Sequence, residues 1–122
     1  MSRNRIAGRI FVKVNGQQKM IRAGVSYGLG NWKRESIAGA DGIHGYKEAP
    51  QAAFLEGEIT DRHDLDARAF LEMDEATVTL ELANGKTIVF RNAYNVSEGS
   101  IGADEANIAF RFESTEPAEE VK

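Results

Sequence analysis

The sequence predicts a mainly β protein, a β-sandwich or barrel-like domain with one short flanking α-helix. Three observations support this fold class. Apolar side chains alternate with other side chains along several short segments, as in strands that bury one face. Asn15-Gly16 and Asn84-Gly85 stand beside such segments, and Asn-Gly pairs favour tight hairpin turns. One further stretch changes to a four-residue apolar spacing, which indicates a helix.

The N-terminal part predicts a hairpin. Residues 9–14 alternate as a half-buried strand does. The Asn-Gly pair that follows predicts a type I′ turn, because both residues tolerate positive φ. Residues 18–23 are expected to return as the second strand. Two less regular strand candidates follow: residues 25–31 and 32–37.

The segment Gly39–Gln51 is predicted to be a long loop. It contains three glycines, one proline and little periodicity. A loop of this length in a compact domain usually has a function. It also carries Ile43 and Tyr46, which a loop would expose. We therefore expect this segment to contact another molecule.

Residues 53–60 resume the alternation, with Leu55 and Ile59 on the inward side. The period then changes. Residues 64–73 place apolar side chains at every fourth position, which predicts an amphipathic helix of two to three turns. Either of two aspartates before it is expected to cap the helix by accepting a backbone N–H hydrogen bond, namely Asp61 or Asp64.

The C-terminal part predicts a second hairpin and one last strand. Residues 77–82 and 87–94 alternate on either side of the second Asn-Gly pair, and residues 106–113 alternate again. The chain is therefore expected to form one domain over residues 1–113. The acidic residues 114–122 are expected to form a flexible C-terminal tail.

Composition excludes several classes of protein. The chain has no cysteine, so disulfides and thiolate metal sites are excluded. A membrane helix needs about 20 apolar residues in a row, and the sequence has no such run. The N-terminus lacks the apolar core of a signal peptide. A net charge of -4 argues against a nucleic-acid-binding domain. A cytoplasm, or a particle assembled in one, is the expected compartment.

The charges are unevenly distributed along the chain. Residues 1–34 carry eight basic side chains and no acidic one, whereas residues 35–122 carry seven basic and nineteen acidic side chains. Two explanations remain open at this stage. The opposite charges pair either within one subunit or between neighbouring subunits.

Asp61-Arg62-His63-Asp64, with His44 elsewhere, is the best candidate for catalysis or metal binding. A zinc site needs three or four converging ligands, and no nucleophile is spaced to pair with His63. Carboxylates at a strand–helix junction commonly cap backbone donors. We therefore predict no catalytic, cofactor or metal site and no enzymatic activity. An enzyme that uses Asp61, His63 and Asp64 is kept as an alternative hypothesis.

Three stretches together resemble a known family. The sequence AGRIFVKVNG spans residues 7–16, RESIAG at 34–39 leads to GYKEAP at 45–50, and ATVTLELANGK spans residues 76–86. Their order and spacing over residues 7–113 resemble the tail tube proteins of Mu-like contractile-tailed bacteriophages.

This resemblance implies a tail tube fold and a structural role without a cofactor. Subunits of that family form stacked six-fold rings whose strands enclose a central channel for the genome. The implied partners are further copies of the chain, the tail sheath, baseplate and tape-measure proteins, and viral DNA in transit without sequence-specific binding. The implied location is the virion tail, after assembly in the host cytoplasm, with no membrane. The alternative is a small β-barrel adaptor or binding module, such as a tail tube initiator or terminator.

Two sets of residues are expected to face other molecules in such a tube. Contacts from lysine or arginine to phosphate would hold DNA in the channel, so the wall should be polar or acidic. Alternation in the strands predicts three lumen-facing glutamates: Glu56, Glu58 and Glu81. The basic N-terminus and the long loop are expected to supply the inter-subunit contacts: Arg3, Arg5, Arg9, Asp41, Ile43, Tyr46 and Lys47.

Overall fold

The computed structural model describes residues 9–22 and 24–122. Within these residues the chain is mostly β-strand with one short helix, which confirms the predicted fold class. The elements, in chain order, are β1 (Phe11–Val14), β2 (Gln17–Lys19), β3 (Ser26–Gly28), β4 (Lys33–Gly39), β5 (Gly42–Ala49), β6 (Ala53–Thr60), α1 (Ala67–Leu71), β7 (Ala76–Glu81), β8 (Thr87–Asn95), β9 (Ile101–Gly102), β10 (Asn107–Ser114) and β11 (Glu119–Val121).

The main sheet closes on itself as a barrel. Its strands follow the order β2-β1-β7-β8-β10-β6-β3, with β9 beside β10 and β11 beside β8. The connection between β2 and β3 joins the two ends of this order. Ile21 forms a bridge with Ile59 of β6, and the Arg22 amide donates to the Glu58 carbonyl at 2.9 Å. Because β2 pairs with β1 while its continuation pairs with β6, the strands enclose one core.

Alternating side chains fill the barrel interior. On β6, Leu55 and Ile59 are buried, while Glu56 and Glu58 lie half-buried on the outer side, as the sequence predicts. The other strands contribute in the same way. Their buried side chains include Val12, Val14, Val78, Leu80, Ile88, Phe90, Ile108, Phe110 and Phe112.

Both predicted Asn-Gly turns form, with different geometries. Asn15 and Gly16 have φ values of 51° and 84°, as a type I′ turn requires. The Asn15 side-chain oxygen also accepts a hydrogen bond from the Thr77 amide at 2.9 Å, which ties this turn to β7. In the second turn positive φ occurs at Gly85 but not at Asn84, so the β7–β8 connection is a longer turn.

The helix is shorter than predicted. The expected helix over residues 64–73 is reduced to Ala67–Leu71, and neither Asp61 nor Asp64 caps it. Asp66 is the capping residue, and its carboxylate accepts a hydrogen bond from a backbone amide three residues on, at 3.1 Å. The backbone of Asp66 is extended, so the helix cannot begin before it. In the part of the chain that the structure describes, no helix has the length and hydrophobicity needed to cross a membrane.

The short helix nevertheless completes the core through Phe70. This side chain is 2% exposed. Its ring meets Phe110 and Phe112 edge-on, with centroid distances of 5.8 and 5.7 Å. Edge-to-face pairs of this kind add to the stabilisation from buried area.

Removal of the helix cap is expected to have a moderate effect. Asp66→Ala leaves backbone N–H groups of the first turn without their acceptor, so the free energy of unfolding should fall by about 1 kcal/mol. Asp64→Ala is the matched control, because Asp64 is exposed and contacts Arg62 at 3.6 Å in an ion pair of little value. Urea unfolding measures both variants. Equal losses would mean that Asp66 has no special role at the helix start.

The predicted long loop is wrong over most of its length. Within residues 39–51, β5 (Gly42–Ala49) pairs antiparallel with β4 (Lys33–Gly39). The two strands form their own two-stranded sheet, separate from the barrel. Every residue of both strands is exposed. Since neither face is buried, no apolar alternation marks these strands in the sequence.

The C-terminal residues also differ from the predicted flexible tail over 114–122. Glu119–Val121 forms β11 and pairs with the first half of β8. Ser114 is buried, and its hydroxyl donates a hydrogen bond to the Arg91 carbonyl. Part of this acidic segment therefore belongs to the barrel. Its side chains also contact β8, since Glu119 lies 3.0 Å from Arg91.

Candidate functional surfaces

The β4–β5 hairpin presents apolar side chains to solvent. Ile43 is 69% exposed, Tyr46 56% and Ile37 45%. A two-stranded hairpin on its own is only marginally stable in water. Apolar side chains gathered on an exposed surface often mark a contact with another protein. Ile43 and Tyr46 are thus exposed on a hairpin and not in a loop. Their role in contacts with another subunit stays a prediction.

Cross-strand charged and aromatic pairs accompany the register of this hairpin. Arg34 lies 3.8 Å from Glu48, and Lys47 lies 3.6 Å from Glu35. The Arg34 guanidinium also lies over the Tyr46 ring, 4.9 Å from its centroid. Exposed ion pairs contribute little stability. Lys47, predicted to contact another subunit, thus has a partner within its own hairpin.

The tip of the hairpin is shaped by Asp41 and His44. The Asp41 carboxylate and the His44 ring nitrogen are 2.5 Å apart. This hydrogen bond holds the pKa of Asp41 below its ordinary value. A Cβ atom at Gly39 would overlap the His44 ring, so glycine leaves room for the imidazole. Asp41 is therefore ionised near neutral pH and makes its hydrogen bond within its own turn.

The basic N-terminal residues are only partly described. Arg3 and Arg5 lie outside the described residues, and Arg9 is exposed. Two other basic residues of this segment pair within the subunit. Lys13 contacts Glu81 at 3.3 Å, and Arg34 contacts Glu48 of β5 at 3.8 Å. Pairing within the subunit thus accounts for part of the charge asymmetry.

Glu56 and Glu58 lie on the outer face formed by β6 and β10. Arg111 of β10 donates to Glu56 at 2.8 Å and to Glu113 at 2.8 Å. The Asn107 amide donates to Glu58 at 2.5 Å. The hydrogen bond to Glu113, followed by that to Glu56, raises the pKa of Arg111 above its ordinary value. We call this surface, defined by Glu56, Glu58, Asn107, Arg111 and Glu113, the β6–β10 face.

Glu81 does not belong to that face. Around the barrel, two strands lie between β6 and β7 in each direction. In one direction they are β8 and β10, and in the other they are β1 and the segment that continues from β2. Outward side chains of β6 and β7 therefore point away from each other. Glu81 instead lies beside Lys13, on the opposite side of the barrel. The three glutamates predicted to face the lumen therefore do not lie on one face of the barrel. Which of them face a channel stays a prediction.

The residues considered for catalysis do not converge. His44 lies at the hairpin tip, whereas Asp61, His63 and Asp64 lie between β6 and α1. In residues 9–22 and 24–122, no three histidine or acidic side chains lie close enough to hold a metal ion. The structure thus does not bring His44 together with the other three residues of the enzyme hypothesis.

A pocket at the base of the hairpin is the feature that sequence reasoning missed. Its volume is about 460 Å³. It lies where β4 and β5 join the barrel, and Trp32 beside it is 59% exposed. We call it the Trp32 pocket. Its lining comes from four distant parts of the chain: Gly30, Trp32, Pro50, Gln51, Ala52, Ala53, Tyr94, Ser114, Thr115, Glu116 and Pro117.

A closed barrel that carries an exposed apolar hairpin is the kind of domain that a structural protein uses for contacts between subunits. The comparison with known families agrees with this class. The sequence model of the phage tail tube protein family matches residues 3–119, so the chain belongs to the phage tail tube protein family. It is a structural component of a phage tail and not an enzyme, as the sequence predicts.

The chain is similar to the tail tube protein of Escherichia phage Mu. The two are 26% identical over 98 residues, which cover 80% of this chain and 82% of the Mu protein. This similarity confirms the predicted resemblance to Mu-like tail tube proteins.

Solved structures from contractile injection systems share the fold at lower identity. The tube terminating cap of the anti-feeding prophage has a TM-score of 0.62 and 12% identity, over 93% of this chain and 88% of that chain. The sheath/tube terminator of the PVC extracellular contractile injection system, in its extended state, has a TM-score of 0.63 and 12% identity, over 93% and 94%. The extended PVC sheath-tube complex has a TM-score of 0.60 and 13% identity, over 93% and 88%.

Proposed function

We propose that this protein forms six-fold rings that stack into the tail tube, with a central channel through which the genome passes. The exposed apolar hairpin on a closed barrel is the observation that supports this function best. The barrel already pairs most of its strand edges, so the hairpin is the element left for association. A head-to-tail contact between copies generates an open filament, as a tube requires.

A tube terminator or initiator is the second candidate. Two of the similar structures are a tube terminating cap and a sheath/tube terminator. Their TM-scores differ from that of the sheath-tube complex by a few hundredths. The fold alone therefore does not separate a subunit that elongates from one that stops. The two functions differ in whether a ring accepts a further ring on both sides.

Electron microscopy of the purified protein tests this function. We expect stacked rings with a visible channel, formed either by the protein alone at high concentration or after short tail fragments are added as nuclei. Single rings that never stack would favour the terminator. A protein that stays monomeric with and without nuclei would contradict a tube subunit.

The proposed tube has further partners on its two surfaces. The outer wall would contact the tail sheath, as the similarity to a sheath-tube complex supports. The channel would hold the tape-measure protein before the DNA passes, and the baseplate would contact one end. Assembly would take place in the host cytoplasm, and the finished tube would belong to the virion tail.

The β6–β10 face is the better candidate for the channel wall. It carries three carboxylates and one guanidinium, and that guanidinium is already bonded to two of the carboxylates. DNA phosphates would therefore meet an acidic surface whose one cation, the Arg111 guanidinium, is already paired with carboxylates. On the opposite side Lys13 pairs with Glu81, and on the neighbouring β8 Arg91 pairs with Glu119, so cations and carboxylates balance there. We accordingly keep Glu56 and Glu58 as lumen-facing residues and place Glu81 on the outer wall.

A lysine added to the channel wall is expected to slow genome ejection. Ala109 is exposed on β10 opposite Glu58, so Ala109→Lys adds a cation without removing an existing pair. Each ring would then offer new phosphate contacts, and ejection should slow several-fold and recover partly as salt rises. Thr79→Lys on β7 is the matched control. If only Thr79→Lys slows DNA release from assembled tails, the other side of the barrel lines the channel.

Charge reversal at the N-terminus is expected to weaken stacking more than folding. Arg3, Arg5 and Arg9 replaced by glutamate would repel acidic surface on a neighbouring copy. High salt should also shorten wild-type tubes, since the Debye length falls to about 3 Å at 1 M. Tube length by microscopy and thermal unfolding measure the two effects. Arg68→Glu on the exposed helix is the control, and indifference of assembly to both charge reversal and salt would favour pairing within the subunit.

A further inference from the structure

The Trp32 pocket is open and largely apolar on the isolated subunit. Its volume falls within the range of sites that enclose small ligands, so it has room for apolar side chains of another molecule. Trp32, Pro50 and Pro117 supply apolar surface, and Tyr94 and Ala52 extend it. A buried indole contributes strongly to an interface, yet this one is more than half exposed. The pocket therefore lacks a cover in the single chain.

The same chain carries a side chain suited to cover it. Ile43 at the hairpin tip is 69% exposed, more than any other exposed large apolar residue in the described part of the chain. It projects from an element that touches no core. A protruding apolar side chain and an apolar pocket are complementary surfaces, and burial of both would be favourable.

A subunit cannot place its own tip in its own pocket. Ile43 pairs with Ala38, which lies six residues beyond Trp32 along β4. At about 3.4 Å per residue the tip is about 20 Å from the pocket. The antiparallel pairing that runs the length of the hairpin keeps the tip from folding back to its base. A contact between tip and pocket must therefore join two copies.

We propose that Ile43 of one subunit inserts into the Trp32 pocket of the next subunit in the tube. The inference rests on the proposed tube function, because that function supplies the second copy of the chain. It adds which two surfaces of the copies meet. The contact is heterologous, because each copy offers a tip to one neighbour and a pocket to another. Such a contact leaves each copy with a free tip or pocket for a further copy, so it can repeat around a ring or along a stack of rings. The polar residues of the pocket, Gln51, Thr115 and Glu116, can stay hydrated at its edge.

Engineered cysteines test this contact directly, because the chain contains none of its own. In the double variant Ile43→Cys/Ala52→Cys, oxidation or a short bis-maleimide should link assembled subunits into a ladder of covalent oligomers on a denaturing gel. A mixture of the two single variants should give linked dimers and no ladder. The control pair Ile43→Cys/Ala109→Cys places the second cysteine on the β6–β10 face and should remain unlinked.

The single tryptophan provides a second, independent readout. Assembly should bury Trp32 and move its fluorescence emission to shorter wavelengths. Ile43→Asp should abolish both the shift and the tubes while the monomer stays folded by circular dichroism. The matched control is Ile101→Asp, at another exposed isoleucine outside the hairpin, and it should keep both.

The outcomes separate this inference from the function on which it rests. Tubes that form normally from the double-cysteine variant without a covalent ladder would overturn the tip-in-pocket contact and leave the tube function intact. Tubes and a full emission shift from Ile43→Asp would overturn it as well. Absence of tubes from the wild-type protein, even with tail fragments as nuclei, would overturn both.

Discussion

Replacement of residues 34–48 by a two-residue Asn-Gly turn is expected to abolish tube formation and leave a folded monomer. Lys33 and Ala49 are paired neighbours at the base of the hairpin, so a tight turn can join them. The removed strands are exposed throughout and form a sheet apart from the barrel. The free energy of unfolding should therefore change by less than about 1 kcal/mol, since shortening an exposed connection has a small entropic effect.

Sedimentation velocity and electron microscopy measure the assembly of this variant, and urea unfolding measures its stability. The matched control keeps both strands and the Asp41–His44 contact and replaces only Ala40 of the turn with Ser, which preserves the length and the tip of the hairpin. The control should form tubes. Normal tubes from the variant that lacks the hairpin would show that assembly uses another surface.

Phe70→Ala is expected to be the most destabilising single substitution at the helix. The ring is buried and packs edge-on against Phe110 and Phe112, so truncation leaves a cavity between the helix and the strands. Such a change lowers the free energy of unfolding by about 3–5 kcal/mol. Domains of this size have a total stability of about 5–15 kcal/mol. The variant should therefore unfold at much lower urea concentration and express poorly.

Phe54→Ala is the control for this prediction. Phe54 lies half-buried on the outer face of β6, with the Arg111 guanidinium 4.3 Å from its ring centroid. A contact of that kind is worth about 1 kcal/mol. If the two variants lost similar stability, the helix would not be part of the core, and its flanking position would need another explanation.

The strands that bury one face were predictable from the sequence. In β6, β7 and β10 the apolar side chains recur at every second position, because the alternate positions face the barrel interior. The observed β6 has the predicted limits, Ala53 and Thr60. The Asn15-Gly16 turn was equally visible, since its φ values demand such residues.

Elements without a buried face were harder to recognise: β4 was predicted only in part, as the strand candidate 32–37, and β5 was predicted to be a loop. The strands β4 and β5 pair through backbone hydrogen bonds and cross-strand charges, and their glycines are typical of a loop. The terminal strand β11 is exposed and acidic, and its glutamates pair with an arginine of β8 and with a lysine of the turn before it. The helix was overestimated because Leu65 and Met73 continue the apolar spacing outside the helix while packing against the core.

For the candidate surfaces, the alternation of side chains predicted only which residues point inward or outward from their own strand. Alternation showed that Glu56, Glu58 and Glu81 point outward from their strands. It contained no information on strand order, which places β6 and β7 on opposite sides of the barrel. The Trp32 pocket could not be found either, because tertiary structure brings its residues together from four separate segments.

A reconstruction of assembled tubes by electron cryo-microscopy tests the central claim most directly. We expect stacked six-fold rings in which each β4–β5 hairpin packs against a neighbouring subunit and the β6–β10 face lines the channel. Rings whose hairpins extend into solvent without touching another subunit would contradict this account of assembly, whatever the symmetry of the tube.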